Sequence, residues 1–176
     1  IDSFIKVLEK LEKGKKYPGT IYVRSIDGSV SAITIRAEQV SGKKRTSEYE
    51  TKISGITKEW KKFTFDVIPN ANAMNGMLSI YADCPNAAEK NGSLDIDFVS
   101  LFRADIYKNQ ENGLRKDLVE MLEDMKPKFI RFPGGCIVHG MSLQDRYEWK
   151  DTVGPVEQRK EKFNFWGYQQ SYGLGF

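Results

Sequence analysis

Lys128-Phe129-Ile130-Arg131-Phe132-Pro133-Gly134-Gly135-Cys136-Ile137-Val138-His139-Gly140 is the stretch from which the fold is read. Residues 129–132 are short, apolar and bounded by turn residues, the pattern of a buried parallel strand. Pro133 removes a backbone donor and stops the ladder, and Gly134 and Gly135 allow positive φ and close approach of a ligand to the backbone. A strand that opens into a glycine loop at its C-terminal end is where barrel and open-sheet enzymes carry their chemistry.

Upstream, residues 112–125 have helical periodicity. Leu114, Leu118, Met121, Leu122 and Met125 fall on one stripe, and charged residues fill the opposite face. Asn112 is a suitable N-cap, and Pro127 stops the helix ahead of the strand. Helix, short connection, buried strand and glycine loop make one step of an α/β fold.

Residues 1–104 read differently. The segments 19–25, 31–40, 60–68, 76–83 and 93–102 run apolar or alternate. Phe63, Phe65 and Val67 oppose Lys62, Thr64 and Asp66, while Leu94, Ile96 and Phe98 oppose Asp95 and Asp97. Turn chemistry separates them at Asp27-Gly28, Ser41-Gly42, Ser54-Gly55, Pro69-Asn70, Asn75-Gly76 and Asn91-Gly92. Short strands with regular turns predict an antiparallel sandwich. The boundary falls near residues 103–111, where polar residues replace the last strand.

Four ordered motifs carry a family resemblance. They are residues 112–117 (Asn-Gly-Leu-Arg-Lys-Asp), 129–136 (Phe-Ile-Arg-Phe-Pro-Gly-Gly-Cys), 147–155 (Tyr-Glu-Trp-Lys-Asp-Thr-Val-Gly-Pro) and 172–176 (Tyr-Gly-Leu-Gly-Phe). In this order they resemble α-L-arabinofuranosidases of glycoside hydrolase family fifty-one, most closely members with a carbohydrate-binding-like sandwich ahead of most of the barrel. The strand order before residue 104 is similar to jelly-roll carbohydrate-binding modules.

The resemblance implies a mainly β chain with a C-terminal α/β part. A jelly-roll-like β-sandwich over residues 1–104 would be followed by the first units of a (β/α)8 barrel over residues 105–176. It further implies a retaining enzyme that removes terminal arabinofuranosyl side chains from plant polysaccharides, so the expected partner is an arabinose-containing polysaccharide or oligosaccharide. A repeat architecture is not expected, since no internal repeat is present. A secreted or periplasmic compartment is favoured over the cytoplasm, no cofactor is expected, and homo-oligomerisation is left open. For residues 4–11, Phe4, Val7, Leu8 and Leu11 are spaced as in a helix capped by Ser3 and ended by Gly14, whereas the resemblance puts a strand-like approach there. The helix is the reading preferred here.

Four residues are expected to bind substrate: Arg131, Gly135, Cys136 and Trp149. A buried guanidinium at Arg131 needs partners, either a structural ion pair or carboxylates at a substrate site whose pKa it would tune. Cys136 taken alone is a small inert residue, but the resemblance puts its position in the arabinose subsite, as a contact and not a nucleophile. Gly135 belongs to the loop that lets a ligand near the backbone. Trp149, with Tyr147, Trp166 and Tyr168, offers faces for sugar stacking, although packing is the preferred role of Trp166. His139 is the only histidine, too little for a histidine-based metal cluster or triad. Close relatives often carry glutamate there, so His139 reads as a solvent-facing loop residue.

No catalytic residue is assigned. Retaining glycosidases use two carboxyl groups about 5–5.5 Å apart. The family's acid/base glutamate lies in an Asn-Glu pair on a later barrel strand, and that dipeptide occurs nowhere here. The chain alone is therefore expected to be inactive.

Composition excludes little, but consistently. The 27 basic and 24 acidic residues give a net charge of +3, with no basic stripe of the kind nucleic-acid binders use. Lys43-Lys44-Arg45 reads as a solvated loop. No apolar run approaches the ~20 residues of a membrane span. Cys84 and Cys136 would sit in different domains, unbridged. Two other classes remain. One is a non-catalytic carbohydrate-binding module with an accessory tail, using Tyr22, Tyr49 and Tyr81 as its platform. The other is a phosphate-binding α/β protein, for which the Lys-Ser/Thr of a P-loop is missing.

Overall fold

The computed structural model describes residues 4–8, 10–83, 92–109, 114–167 and 169–170. The chain divides into two compact units, Ile1–Ala104 and Asp105–Phe176.

The first unit holds β1 (Phe4–Leu8), β2 (Tyr17–Ser25), β3 (Ala32–Ser41), β4 (Lys44–Ser54), β5 (Lys61–Val67), β6 (Gly76–Asp83) and β7 (Leu94–Leu101). They form a four-stranded sheet in the order β1-β6-β3-β4 and a three-stranded sheet in the order β5-β2-β7. Every pairing in both sheets is antiparallel. Alternation drives the two sheets together: Ile33, Ile35, Leu78 and Ile80 from one meet Ile21, Val23, Phe65 and Val67 from the other in one buried cluster. Gly19 has a packing reason to be glycine, because a Cβ there would stand 2.5 Å from the Phe65 ring and 2.9 Å from the Ser100 carbonyl.

Three local expectations are corrected. Residues 4–8 form a strand, not a helix, paired with β6 from Phe4↔Ile80 to Leu8↔Gly76. An isolated helix this short gains little by itself, while the free edge of β6 offers a full ladder to a segment carrying β-branched Ile5 and Val7. Leu11 is nevertheless buried, bridged to Ala73. Lys44 and Arg45 are not in a loop but open β4, which pairs with β3 around Gly42 at φ 60°. Finally, Phe98 does not continue the inward face begun by Leu94 and Ile96. A register shift opposite Thr20 to Tyr22 puts Phe98 at φ 45°, and Val99 and Leu101 pack on the core instead.

Polar groups on the sheets are paired. Glu38, 4% exposed, accepts from the Ser79 hydroxyl at 2.5 Å and from the Tyr81 hydroxyl at 3.3 Å. The Arg24 and Asp95 side chains meet at 2.8 Å across β2 and β7. In the turn after β2, Asp27 accepts from the Ser29 hydroxyl at 2.6 Å and the Ser29 amide at 3.0 Å. The Ser29 hydroxyl first, then its amide, hold the Asp27 carboxyl at a pKa of about 2. A carboxyl depressed in the fold stabilises it above the unfolded value of about 3.9, and that gain fades as pH falls towards about 2. Asp27→Asn should therefore lower the unfolding midpoint at neutral pH and converge on the parent as pH drops from about 4 to about 2. A deficit that stays constant across that range would refute the assignment.

The second unit contains helices α1 (Lys116–Met125) and α2 (Gly135–His139), short 3-10 turns, and the small hairpin β8 (Lys162–Phe163) with β9 (Gln169–Gln170). α1 is shorter than its apolar stripe suggests. It starts after Arg115 and ends on Lys126 in the left-handed region, whose amide bonds the Glu123 carbonyl at 3.0 Å. The expected cap Asn112 lies outside the described residues. Leu118, Met121, Leu122 and Met125 are exposed. Residues 129–132 are not a strand, and Phe129 and Ile130 are 84% and 80% exposed. A parallel strand needs parallel neighbours, and none is formed among the described residues.

Candidate functional site

The glycine loop leads directly into α2. Gly134 takes φ 107°, and its carbonyl accepts the Val138 amide at 3.1 Å. Gly140, at φ 64°, then reverses the chain so tightly that a Cβ there would lie 2.6 Å from the Asp145 carbonyl. The chain returns beside the helix, where the Tyr147 amide bonds the Val138 carbonyl at 3.0 Å. A 3-10 turn (Trp149–Thr152) follows, closed by the Thr152 hydroxyl on the Trp149 carbonyl at 2.6 Å.

β8 supplies the opposing wall. The Lys162 ammonium, largely buried, meets the Asp151 carboxylate at 3.0 Å and the Gln144 carbonyl at 3.3 Å, tying three segments together. Asn164 is 6% exposed, and its side-chain oxygen accepts the Trp166 amide at 2.9 Å. Its amide nitrogen is buried without a hydrogen-bond partner. Between these walls lies a small, partly open cleft with Cys136, Asp145, Tyr147, Glu148, Lys162 and Asn164 in its lining.

The expected site residues are only partly brought together. Cys136 is exposed and lines the cleft. Gly135 opens α2 just before it, and an Arg131 guanidinium nitrogen sits 3.7 Å from where a Gly135 Cβ would be. Arg131 is exposed, against the expectation of a buried guanidinium, because the strand that would enclose it is not formed. Trp149 is 55% exposed outside the cleft lining, with the Lys150 ammonium 6.0 Å from its ring. Trp166 is 59% exposed and so is not packed in a core, contrary to its preferred role. His139 is exposed, yet its Nδ1 lies 2.7 Å from the Gly140 carbonyl and its ring meets Phe165 edge-on. Tyr168 lies outside the described residues.

Among the carboxylates, Glu148 pairs with Arg146, and Asp145 accepts from the Ser142 hydroxyl at 2.7 Å. Neither pairing nominates a catalytic couple. Sequence reasoning missed Asn164 and Lys162. The one available signal was an uncharged polar residue set between Phe163 and Phe165, a position that burial would leave needing partners. In the first unit the three tyrosines do not share a platform. Tyr22 is on the three-stranded sheet under the Lys62 ammonium, whereas Tyr49 and Tyr81 are on the four-stranded one.

Comparison with known proteins bears on this same segment. The profile of the α-L-arabinofuranosidase 1 domain matches residues 121–176, which include both walls of the cleft. An extracellular exo-α-L-arabinofuranosidase of Streptomyces chartreusis is 38% identical over 95% of this chain. The solved structure of an arabinose-bound family fifty-one α-L-arabinofuranosidase superposes over 92% of the chain, with a TM-score of 0.74 and 28% identity. Over most of its length the chain is similar to family fifty-one α-L-arabinofuranosidases. α-L-Arabinofuranosidase 1 of Arabidopsis thaliana extends the relation to plants, at 36% identity over 94% of the chain. The chain spans 20% and 23% of the length of these two curated arabinofuranosidases, and 26% of the solved one.

Proposed function

We propose that this chain is part of a retaining exo-acting α-L-arabinofuranosidase that removes terminal arabinofuranosyl groups from plant polysaccharides outside the cytoplasm. Its cleft forms one wall of the arabinose subsite. The observation that carries the reading is the position of Cys136 on that cleft, inside the segment that matches the arabinofuranosidase domain. Residues 1–104 serve as a carbohydrate-binding-like sandwich. Residues 105–176 contribute the first units of a (β/α)8 barrel, and residues 129–132 become a strand when parallel neighbours flank them.

Within that barrel Arg131, Gly135 and Trp149 join Cys136 around the sugar. The two carboxyl groups that a retaining mechanism needs come from outside these residues, because no carboxylate pair among the described residues of the cleft is free to act as acid and nucleophile. A free carbohydrate-binding module is the weaker reading, since Tyr22 stands on a different sheet from Tyr49 and Tyr81.

The test is direct. The longer protein containing this chain should release nitrophenol from an aryl α-L-arabinofuranoside, and the 176-residue chain alone should not exceed a buffer blank. Turnover by the short chain that survives repurification would overturn the division of labour. An inert longer protein would overturn the activity itself.

A further inference from the structure

We infer that Asn164 is a ligand contact, whose side-chain amide donates a hydrogen bond to an oxygen of a neutral sugar held in the cleft. This deepens the arabinose-subsite reading and rests on it for the identity of the sugar.

Asn164 lines the cleft and is 6% exposed. Its two polar atoms are treated unequally. The oxygen is committed to the Trp166 amide at 2.9 Å, while the nitrogen is buried with no partner. A buried donor without an acceptor carries its full desolvation cost, which a ligand oxygen would relieve. The oxygen contact also fixes which way the amide faces, so the donor is held in place before any ligand arrives.

The charges of the cleft narrow the chemistry. Two acidic residues, Asp145 and Glu148, and two basic ones, Lys160 and Lys162, line it. Lys162 is already paired with Asp151 and Glu148 with Arg146. No surplus of either sign is left to favour a phosphate or a cation. Hydroxyl groups, which both donate and accept, match a wall that mixes an amide donor, carboxylate acceptors and the Tyr147 ring.

The experiment uses the longer protein, labelled with 15N-asparagine, and reads the Asn164 side-chain amide during titration with L-arabinose, D-xylose and D-galactose. Asn164→Asp identifies the signal by its loss. It also keeps an oxygen for the Trp166 amide while removing the donor. The expected result is a saturable shift of the Asn164 amide with L-arabinose, and roughly tenfold weaker arabinose inhibition and a higher KM in Asn164→Asp. Arabinofuranoside turnover with an unmoved Asn164 amide and an unchanged KM in Asn164→Asp would overturn the inference and leave the activity standing. A shift with xylose or galactose, but none with arabinose, would uphold the contact and overturn the arabinose assignment. If the aspartate variant fails to fold, Asn164→Ser identifies the signal by its loss instead, and the parent's amide shift then decides.

Discussion

Ile35→Ala should lower the stability of the Ile1–Ala104 unit by about 2–5 kcal/mol, the range for truncating a fully buried aliphatic side chain. Ile35 is 0% exposed and lies on β3, between β6 and β4, opposite Ile80 and Thr51. Central strands have no solvent into which the missing atoms can be exchanged, and neighbours held by ladders on both sides cannot collapse into the hole. Urea unfolding of the whole chain, followed by far-ultraviolet circular dichroism, measures the loss. Ile26→Ala is the control, because Ile26 is 51% exposed and its truncation should shift the midpoint little. Equal midpoints for the two variants would mean that the facing sheets do not form the core described.

Gly140→Ala should be the most damaging single change in the Asp105–Phe176 unit. Two costs coincide there. The φ of 64° disfavours any residue with a Cβ, at about 1–3 kcal/mol. In addition the new Cβ would meet the Asp145 carbonyl at 2.6 Å and the Arg146 amide nitrogen at 2.8 Å, backbone atoms that no rotamer change can move. Overpacking of that kind costs about 1–3 kcal/mol more. Gly154→Ala separates the two, since Gly154 has φ 106° but nothing within 4 Å of the position a Cβ would take. In a Trp60→Phe background, tryptophan fluorescence reports Trp149 and Trp166 alone. Gly140→Ala should melt well below Gly154→Ala, and equal melting would rule out the steric contribution.

The strands of the first unit were legible where burial is one-sided. β5 alternates cleanly because its inward residues, Phe65 and Val67, are buried while Lys62 and Thr64 are exposed. β4 was missed because Lys44, Arg45, Thr46 and Ser47 are all exposed, leaving no alternation until Tyr49 and Ile53. Residues 4–8 misled for another reason. Leucine and phenylalanine at helical spacing also satisfy a short strand followed by a bridge, and only the vacant edge of β6 decides between them. Residues 129–132 have the composition of a buried strand, but composition cannot supply parallel partners. In the cleft, Cys136 was found because its motif is distinctive. Asn164 was not, because a single asparagine among aromatics looks the same in sequence whether its amide is spent or free.

The shift in β7 has one more consequence. A uniformly alternating strand can slide along its neighbour by two residues and still turn an oily face inward. β7 cannot do so, because Leu94 and Ile96 face the core on one parity while Val99 and Leu101 face it on the other. Any slipped alignment with β2 would carry the kink at Phe98 to a place where β2 has no matching irregularity, and one half of the strand would turn its apolar residues to water. The irregularity thus acts as a key cut for one lock, admitting a single alignment of the last strand in the sandwich.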